Sequence, residues 1–393
     1  MTTFESAKEM GYMAVLEKIQ AASLKEYGLT AEPFADKIFR ANAGDNEVMV
    51  YAGLNNADID CALLALLKDD PEKVFDGIEI AAMLVNASAK FLYLPVWETA
   101  LADELKAAAE AHKIIIVNDI INVRETENDL RMHIATAADL ADLIAGTYTG
   151  GAYICTADGL KKVPAETPVS ELVSLDGAKA VYLGYQYYTP EEAAALKAAD
   201  ATNAVIRVLT DKDCIVAETA KMLTKDRQAS CGRCVFCREG LNQIEYMYKE
   251  ITQARGKTNF ASLTDEIGDA CTYNTLCTVG QEAPKAALSA MKKFASEFEA
   301  HIKKNKCPAE VCTAFVHIYI DPHTCTGCGE CMDVCPAECI EGKPNFIHMI
   351  DEFDCTKCGK CIEVCEEEAI VKTAGKLPKL PNRLIKVGKF KKH

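Results

Sequence analysis

CTGCGECMDVCP occupies residues 325–336, and CTKCGKCIEVCE occupies residues 355–366. Each reads Cys-x2-Cys-x2-Cys-x3-Cys, through Cys325, Cys328, Cys331 and Cys335 in the first copy and Cys355, Cys358, Cys361 and Cys365 in the second. The doubled spacing specifies a two-cluster ferredoxin domain. Three thiolates in one tight loop take three corners of an iron-sulfur cubane, and the fourth corner needs a thiolate from a distant segment. Each copy therefore lends its fourth cysteine to the other copy's cluster. Cys325, Cys328, Cys331 and Cys365 are assigned to one [4Fe-4S] cluster, and Cys355, Cys358, Cys361 and Cys335 to the other. Pro336 closes the first copy, whereas Glu366 stands in its place in the second, which loosens a turn but removes no ligand. Zinc fits poorly, because interleaved doubled spacing has no common zinc counterpart.

Upstream, SCGRCVFCREG at 230–240 supplies a third set, Cys231, Cys234 and Cys237, at the opening of a helix. Its fourth ligand must come from elsewhere. Cys277, at the end of the helical stretch that follows, is the first candidate and Cys271 the second, with a four-ligand zinc site as the competing reading. His301, Cys307 and Cys312 lie just before the ferredoxin domain. They offer three soft ligands that one more would complete as a structural zinc site, and free thiols are the alternative. Cys61, Cys155, Cys214 and Cys339 have no partner at metal spacing and read as small buried thiols. Only three of the 19 cysteines precede residue 231. Such crowding in a long chain without a secretory signal points to metal and away from disulfides.

With LCTVGQEAP at 276–284, SCGRCVFCREG resembles the iron-sulfur region of the flavin-bearing, NADH-oxidising subunit of respiratory complex I. The added ferredoxin domain is similar to the corresponding subunit of multimeric, electron-bifurcating iron hydrogenases, which also carry a matching CPA-x-x-C segment. The resemblance implies Cys231, Cys234, Cys237 and Cys277 as ligands, favouring Cys277 over Cys271. TPVSELV at 167–173 is similar to the family's β-grasp module, and DDPEKVFDGIEIAA at 69–82 resembles the helix after its nucleotide loop. Nearly the whole chain beyond residue 45 is thereby included.

The departures from that family are as informative. Its flavin phosphate rests on a glycine-rich loop, because only glycine lets backbone N–H groups approach so closely. Here the nearest segment, ANAGD at 41–45, holds a single glycine. The segment aligned with the dinucleotide contacts, GLNNADIDC at 53–61, lacks the family's glutamates, and a second acidic pair would fall on Thr136 and Ala137. Loss at three separated places implies that FMN and NAD are not bound and that the domain survives as a scaffold. The competing reading is a flavoprotein subunit that oxidises NADH through a divergent loop.

Farther out, β-then-α order predicts an α/β fold class. The expected elements are a helix over 4–26, a strand over 47–52, a helix opening at Asp70-Pro71, a strand over 91–96, a helix over 98–112 and a strand over 114–117. A small β-rich module with a threonine-capped helical start follows over 151–175, then a strand over 204–209, a helix over 213–224 and helices almost to residue 304. The domain reading is an α/β domain (1–148), a β-grasp-like module (149–200), a helical bundle with one cluster (201–306), the two-cluster ferredoxin domain (307–371) and a basic tail (372–393). The tail carries seven lysines and Arg383 without an acid, and Pro378 and Pro381 deny it a long helix. It reads as a solvated tail or as a docking segment for an acidic partner.

The net charge of −15 disfavours nucleic acid and anionic lipid, and no apolar run approaches a membrane span. No Gly-x-Ser-x-Gly, P-loop or Gly-x-Gly-x-x-Gly occurs, and the seven histidines show no triad spacing. The expectation is a cytoplasmic electron-relay subunit without a substrate site of its own. It works in an anaerobic setting among other redox subunits, exchanging electrons with a flavin-containing partner and with ferredoxin or a second catalytic subunit. A purely architectural role for the clusters is the reading from a different class.

Overall fold

A computed structural model describes residues 2–44, 47–121, 129–374 and 377–391. The chain divides into two compact units: Met1–Thr210 with Lys221–Glu245 and Ser262–Lys293, and Asp211–Ala220 with Tyr246–Ala261 and Phe294–His393.

The first unit is built on a four-stranded parallel sheet of β1 (Met49–Gly53), β2 (Ala89–Leu94), β3 (Ile114–Asn118) and β4 (Leu130–His133), in the order β3-β2-β1-β4. The order reverses between β1 and β4, leaving a switch point at their carboxyl ends. Asp70 caps the helix Pro71–Leu84 by accepting the Lys73 N–H at 3.1 Å, and Pro71 sits where its missing N–H costs nothing. That helix buries Val74, Phe75 and Ile78 completely, each stabilising by roughly 1.5–3 kcal/mol. Gly77 lets it touch the helix Ile134–Ala145 backbone to backbone, since a Cβ at this position would lie 1.9 Å from the Ala137 carbonyl oxygen.

The expected helix over 4–26 ends at Ala21 and is broken at Gly11, whose φ of 78° no helix accommodates. In the β-rich module, Ala152–Thr156 and Gly159–Val163 form a hairpin, and Ala178–Leu183 is the centre of a three-stranded antiparallel sheet with Gln186–Tyr188 and Ile206–Thr210. The expected threonine cap is not made. The helix Val169–Leu172 is one turn long and follows Pro168, while the Thr167 carbonyl accepts the Ala198 N–H at 2.8 Å. The helix expected over 213–224 runs Ile215–Ala229, and helices Val235–Thr252, Phe260–Asn274, Thr278–Lys293 and Ala295–Lys304 follow.

In the second unit, His317–Ile320 pairs with Ile370–Thr373 and Ile340–Glu341 with Met349–Ile350, framing the one-turn helices Glu330–Asp333 and Lys360–Glu363. The basic tail is not a free solvated segment. The Ile347 N–H donates to the Ile385 carbonyl at 2.9 Å, the Val387 N–H donates to the Asn345 carbonyl at 3.1 Å, and Ile385 and Phe390 pack on the core of this domain. Asp45 of the single-glycine segment and Lys376 and Lys392 of the tail lie outside the described residues. Among the described residues no helix is long and apolar enough to cross a membrane.

Candidate iron-sulfur centres and a Cys3His site

Two cavities in the second unit draw cysteines crosswise from the two runs. One is lined by Cys325, Cys328, Cys331 and Cys365 against Ile320 and Ile370. The other is lined by Cys335, Cys355, Cys358 and Cys361 against Ile340 and Ile350. The crossing follows from the paired strands, which bring the end of each run beside the start of the other. Gly327 turns the first loop at a φ of 76°, where a Cβ would lie 2.7 Å from the Phe346 carbonyl oxygen, and Lys357 bears the matching left-handed turn in the second at 56°. Four cysteines lining one cavity fit a [4Fe-4S] cubane. The Lys357 N–H points at Cys355 Sγ and the Ala369 N–H at Cys365 Sγ, each at 3.4 Å, and such bonds favour thiolate. Burial opposes it, pushing the Cys331 thiol up to about 12, a cost that the positive charge of a bound metal would offset. Cys339 is buried as the sequence suggests, but its Sγ lies 3.5 Å from that of Cys335 inside the second cavity wall.

In the first unit, Cys234, Cys237 and Cys277 pack together with Leu241, Val279 and Ala283, while Cys231 is exposed at the loop. Burial pushes the Cys237 thiol up to about 11, and the charges of Cys277, Cys234 and Cys231 add to the rise. Cys271 donates its S–H to the Phe236 carbonyl at 3.0 Å, and burial, with the charge of Cys237 adding, pushes it up to about 12.

A third constellation in the second unit joins Cys214, His301, Cys307 and Cys312, all buried, with ligand atoms within 4.8 Å of one another. Cys214 Sγ lies 3.4 Å from His301 Nε2, and Cys312 Sγ lies 3.6 Å from both. A zinc tetrahedron has edges of roughly 3.8 Å between sulfurs and about 3.6 Å from sulfur to nitrogen. His301 Nδ1–H donates to the Glu297 carbonyl at 2.8 Å, which turns the Nε2 lone pair inward. Hydrogen bonds from Cys214 and Cys312 hold the Cys307 thiol well below its usual range. Cys214 thus corrects its reading as an isolated thiol. Glu297 delivers it, accepting the Ile215 N–H at 2.9 Å and so fixing the start of one helix against another distant in sequence.

The carboxyl ends of β1 and β4, where open α/β sheets bind ligands, border a cavity lined by Asn55, Arg131, His133 and Cys277. A second cavity, at the ends of β1 to β3, is lined by Tyr93, Trp97 and Cys231. Asn56, shared by both, exchanges bonds with Ile121: its Nδ2 donates to the Ile121 carbonyl at 3.2 Å, and its Oδ1 accepts the Ile121 N–H at 3.0 Å. Buried Asp58 accepts from His133 Nε2 at 3.4 Å and from the Tyr185 hydroxyl. The Gly53 backbone is covered by Ile121, whose Cδ1 would lie 2.6 Å from a Cβ there. Thr136 donates to buried Glu26 at 3.0 Å, Ala137 abuts Gly77, and Asn42 donates to the Leu84 carbonyl at 3.0 Å. These positions, where the resemblance places ligand contacts, are engaged in the chain's own packing.

The NADH-ubiquinone oxidoreductase-F iron-sulfur binding region matches residues 217–301, and the 4Fe-4S dicluster domain matches residues 317–366. The chain is 38% identical over 141 residues to the NADP-reducing hydrogenase subunit HndC of Solidesulfovibrio fructosivorans, covering 36% of this chain and 29% of that protein. It is 30% identical over 106 residues to an F-type subunit of the NADH-quinone oxidoreductase of Rhizobium meliloti (strain 1021), covering 27% of this chain and 25% of that protein. The matched part is thus under a third of either relative's length. In fold the chain is similar to a chain of NAD+-reducing [NiFe]-hydrogenase in the air-oxidized state, with a TM-score of 0.64 and 19% identity over 77% of this chain and 65% of that one.

Proposed function

We propose that this chain, with its two kinds of 4Fe-4S-binding domain, is an electron-transfer subunit of an NADH-quinone oxidoreductase-like or hydrogenase complex. It relays single electrons between a flavin-containing or other redox partner and ferredoxin or a second catalytic subunit. The observation that carries this reading is the pair of cavities, each lined by four cysteines taken crosswise from both runs, with Cys339 a fifth in the second.

Cys325, Cys328, Cys331 and Cys365 hold one cluster, Cys335, Cys355, Cys358 and Cys361 a second, and Cys231, Cys234, Cys237 and Cys277 a third. When bound, these clusters supply one-electron chemistry at potentials tuned by burial and hydrogen bonds to sulfur. The protein's own contribution is to fix the thiolates, exclude water with Ile320, Ile340, Ile350 and Ile370, and donate backbone N–H groups at Cys355 and Cys365. Cys214, His301, Cys307 and Cys312 hold a structural zinc ion, closed to solvent on all four ligands.

The flavin and dinucleotide sites have been given up, and the parallel sheet with its β-grasp-like module serves as a scaffold. Support comes from the single-glycine segment at 41–45 and from the internal use of Gly53, Thr136 and Ala137. The cavity beside Cys277 favours a second reading, a flavoprotein subunit with a divergent site. Reductive titration of the intact protein under argon, followed by EPR, tests the relay. Uptake of about three electrons per chain with three separable signals is expected from three one-electron clusters. Clusters that stay oxidised at every accessible potential would leave only an architectural role.

A further inference from the structure

The two halves of the ferredoxin-type domain set equivalent residues around their cavities. Ile318 and His348 stand at the same sequence distance ahead of Cys325 and Cys355, and Cys339 and Ala369 at the same distance after Cys335 and Cys365. The crossing of the halves puts Ile318 and Cys339 in the wall of the Cys355 cavity, and His348 and Ala369 in the wall of the Cys325 cavity. The isoleucines at 320, 340, 350 and 370 match in pairs. The cavities therefore differ in polarity at these two wall positions.

His348 is 1% exposed, an imidazole buried where its counterpart is an isoleucine. Its Nδ1 lies 3.9 Å from Cys325 Sγ, and among the described residues its Nε2 is buried without a hydrogen-bond partner. The ring seats against Gly342, where a Cβ would come within 1.9 Å of its Cδ2. Burying a polar ring is costly, and among the described residues the Cys325 sulfur beside Nδ1 is the partner that offsets that cost.

We propose that His348 donates a ring N–H to the Cys325 thiolate, making the cluster held by Cys325, Cys328, Cys331 and Cys365 more easily reduced than its cavity would otherwise leave it. This rests on the relay reading above. A thiolate only accepts, so the single proton of the neutral ring belongs on the nitrogen that faces it. A donor at a cluster sulfur stabilises the reduced state, which carries the extra negative charge. The Cys339 thiol beside Cys335 is a much weaker donor, so the asymmetry persists. The bond offsets part of the negative field of Glu330, Glu366 and Glu367, which line the same cavity and have no counterparts in the lining of the other.

EPR-monitored redox titration of the full-length, cluster-loaded protein tests this. His348→Ile, which copies the opposite wall, is expected to shift one ferredoxin-type signal roughly tenfold toward the oxidised form, about 59 mV for one electron, leaving the other two signals in place. His348→Gln, which keeps a donor, restores most of the potential. Unchanged potentials at full iron content would overturn the proposal. Should His348→Ile lose its cluster, pulsed EPR of the natural protein labelled with 15N-histidine decides: imidazole coupling to one reduced ferredoxin-type cluster is expected, and its absence refutes the bond. Absence of iron from this domain would instead refute the relay reading itself.

Discussion

Cys271 and Cys277 lie on either side of the short break between the helices Phe260–Asn274 and Thr278–Lys293, and their surroundings differ. Cys277 sits with the trio from the opening of the helix Val235–Thr252, whereas Cys271 spends its S–H on the Phe236 carbonyl. Cys277→Ser is expected to remove roughly four of about twelve iron atoms and one EPR signal. Cys271→Ser keeps the iron and costs about 1 kcal/mol in a chemical melt, because a hydroxyl still reaches the carbonyl. The three-cysteine runs were legible in the sequence because a cubane's first three ligands come from one short loop. Cys214 and His348 were not, since their partners are brought to them by helix and strand pairing between distant segments.

Among the elements, His112 ties the end of the helix Thr99–Ala111 to the helix Pro71–Leu84. Its Nδ1 lies 2.8 Å from Glu79 Oε2 and its Nε2 2.8 Å from Glu72 Oε2, so both nitrogens donate when the ring is charged. Burial alone would depress this imidazole, but hydrogen bonds to Glu79 and Glu72 outweigh burial and hold it above its usual range. A raised histidine contributes stability that is fully present below the unfolded value, about 6.5, and is lost as pH rises through the folded value. Thermal melts should therefore show the first unit losing stability from slightly acidic to mildly alkaline pH, and His112→Gln should flatten that slope. A melting temperature that rises over this range in the natural protein would contradict the ion pair. The alternation of strand and helix could be read from apolar runs. The break at Gly11 and the return of the tail could not: one glycine carries the first, and Ile385 and Phe390 are hidden among lysines until residues 345–347 pair with 385–387 and the core takes up both side chains.

For the whole molecule, metal centres dominate what the chain can do. The second unit is small and rich in loops, and its core includes Cys325, Cys331, Cys339 and Cys361. Much of its folding free energy is then tied to metal binding. The first unit has a large conventional core around its parallel sheet. That contrast leads to the central claim of a three-cluster relay on a scaffold without flavin. The most direct test is to purify the protein without oxygen and quantify iron, sulfide, zinc and flavin on the same sample. The account predicts about twelve iron with matching sulfide, about one zinc and no flavin per chain. Stoichiometric flavin would contradict the lost site and restore an NADH-oxidising role, and iron near eight would remove one of the three clusters.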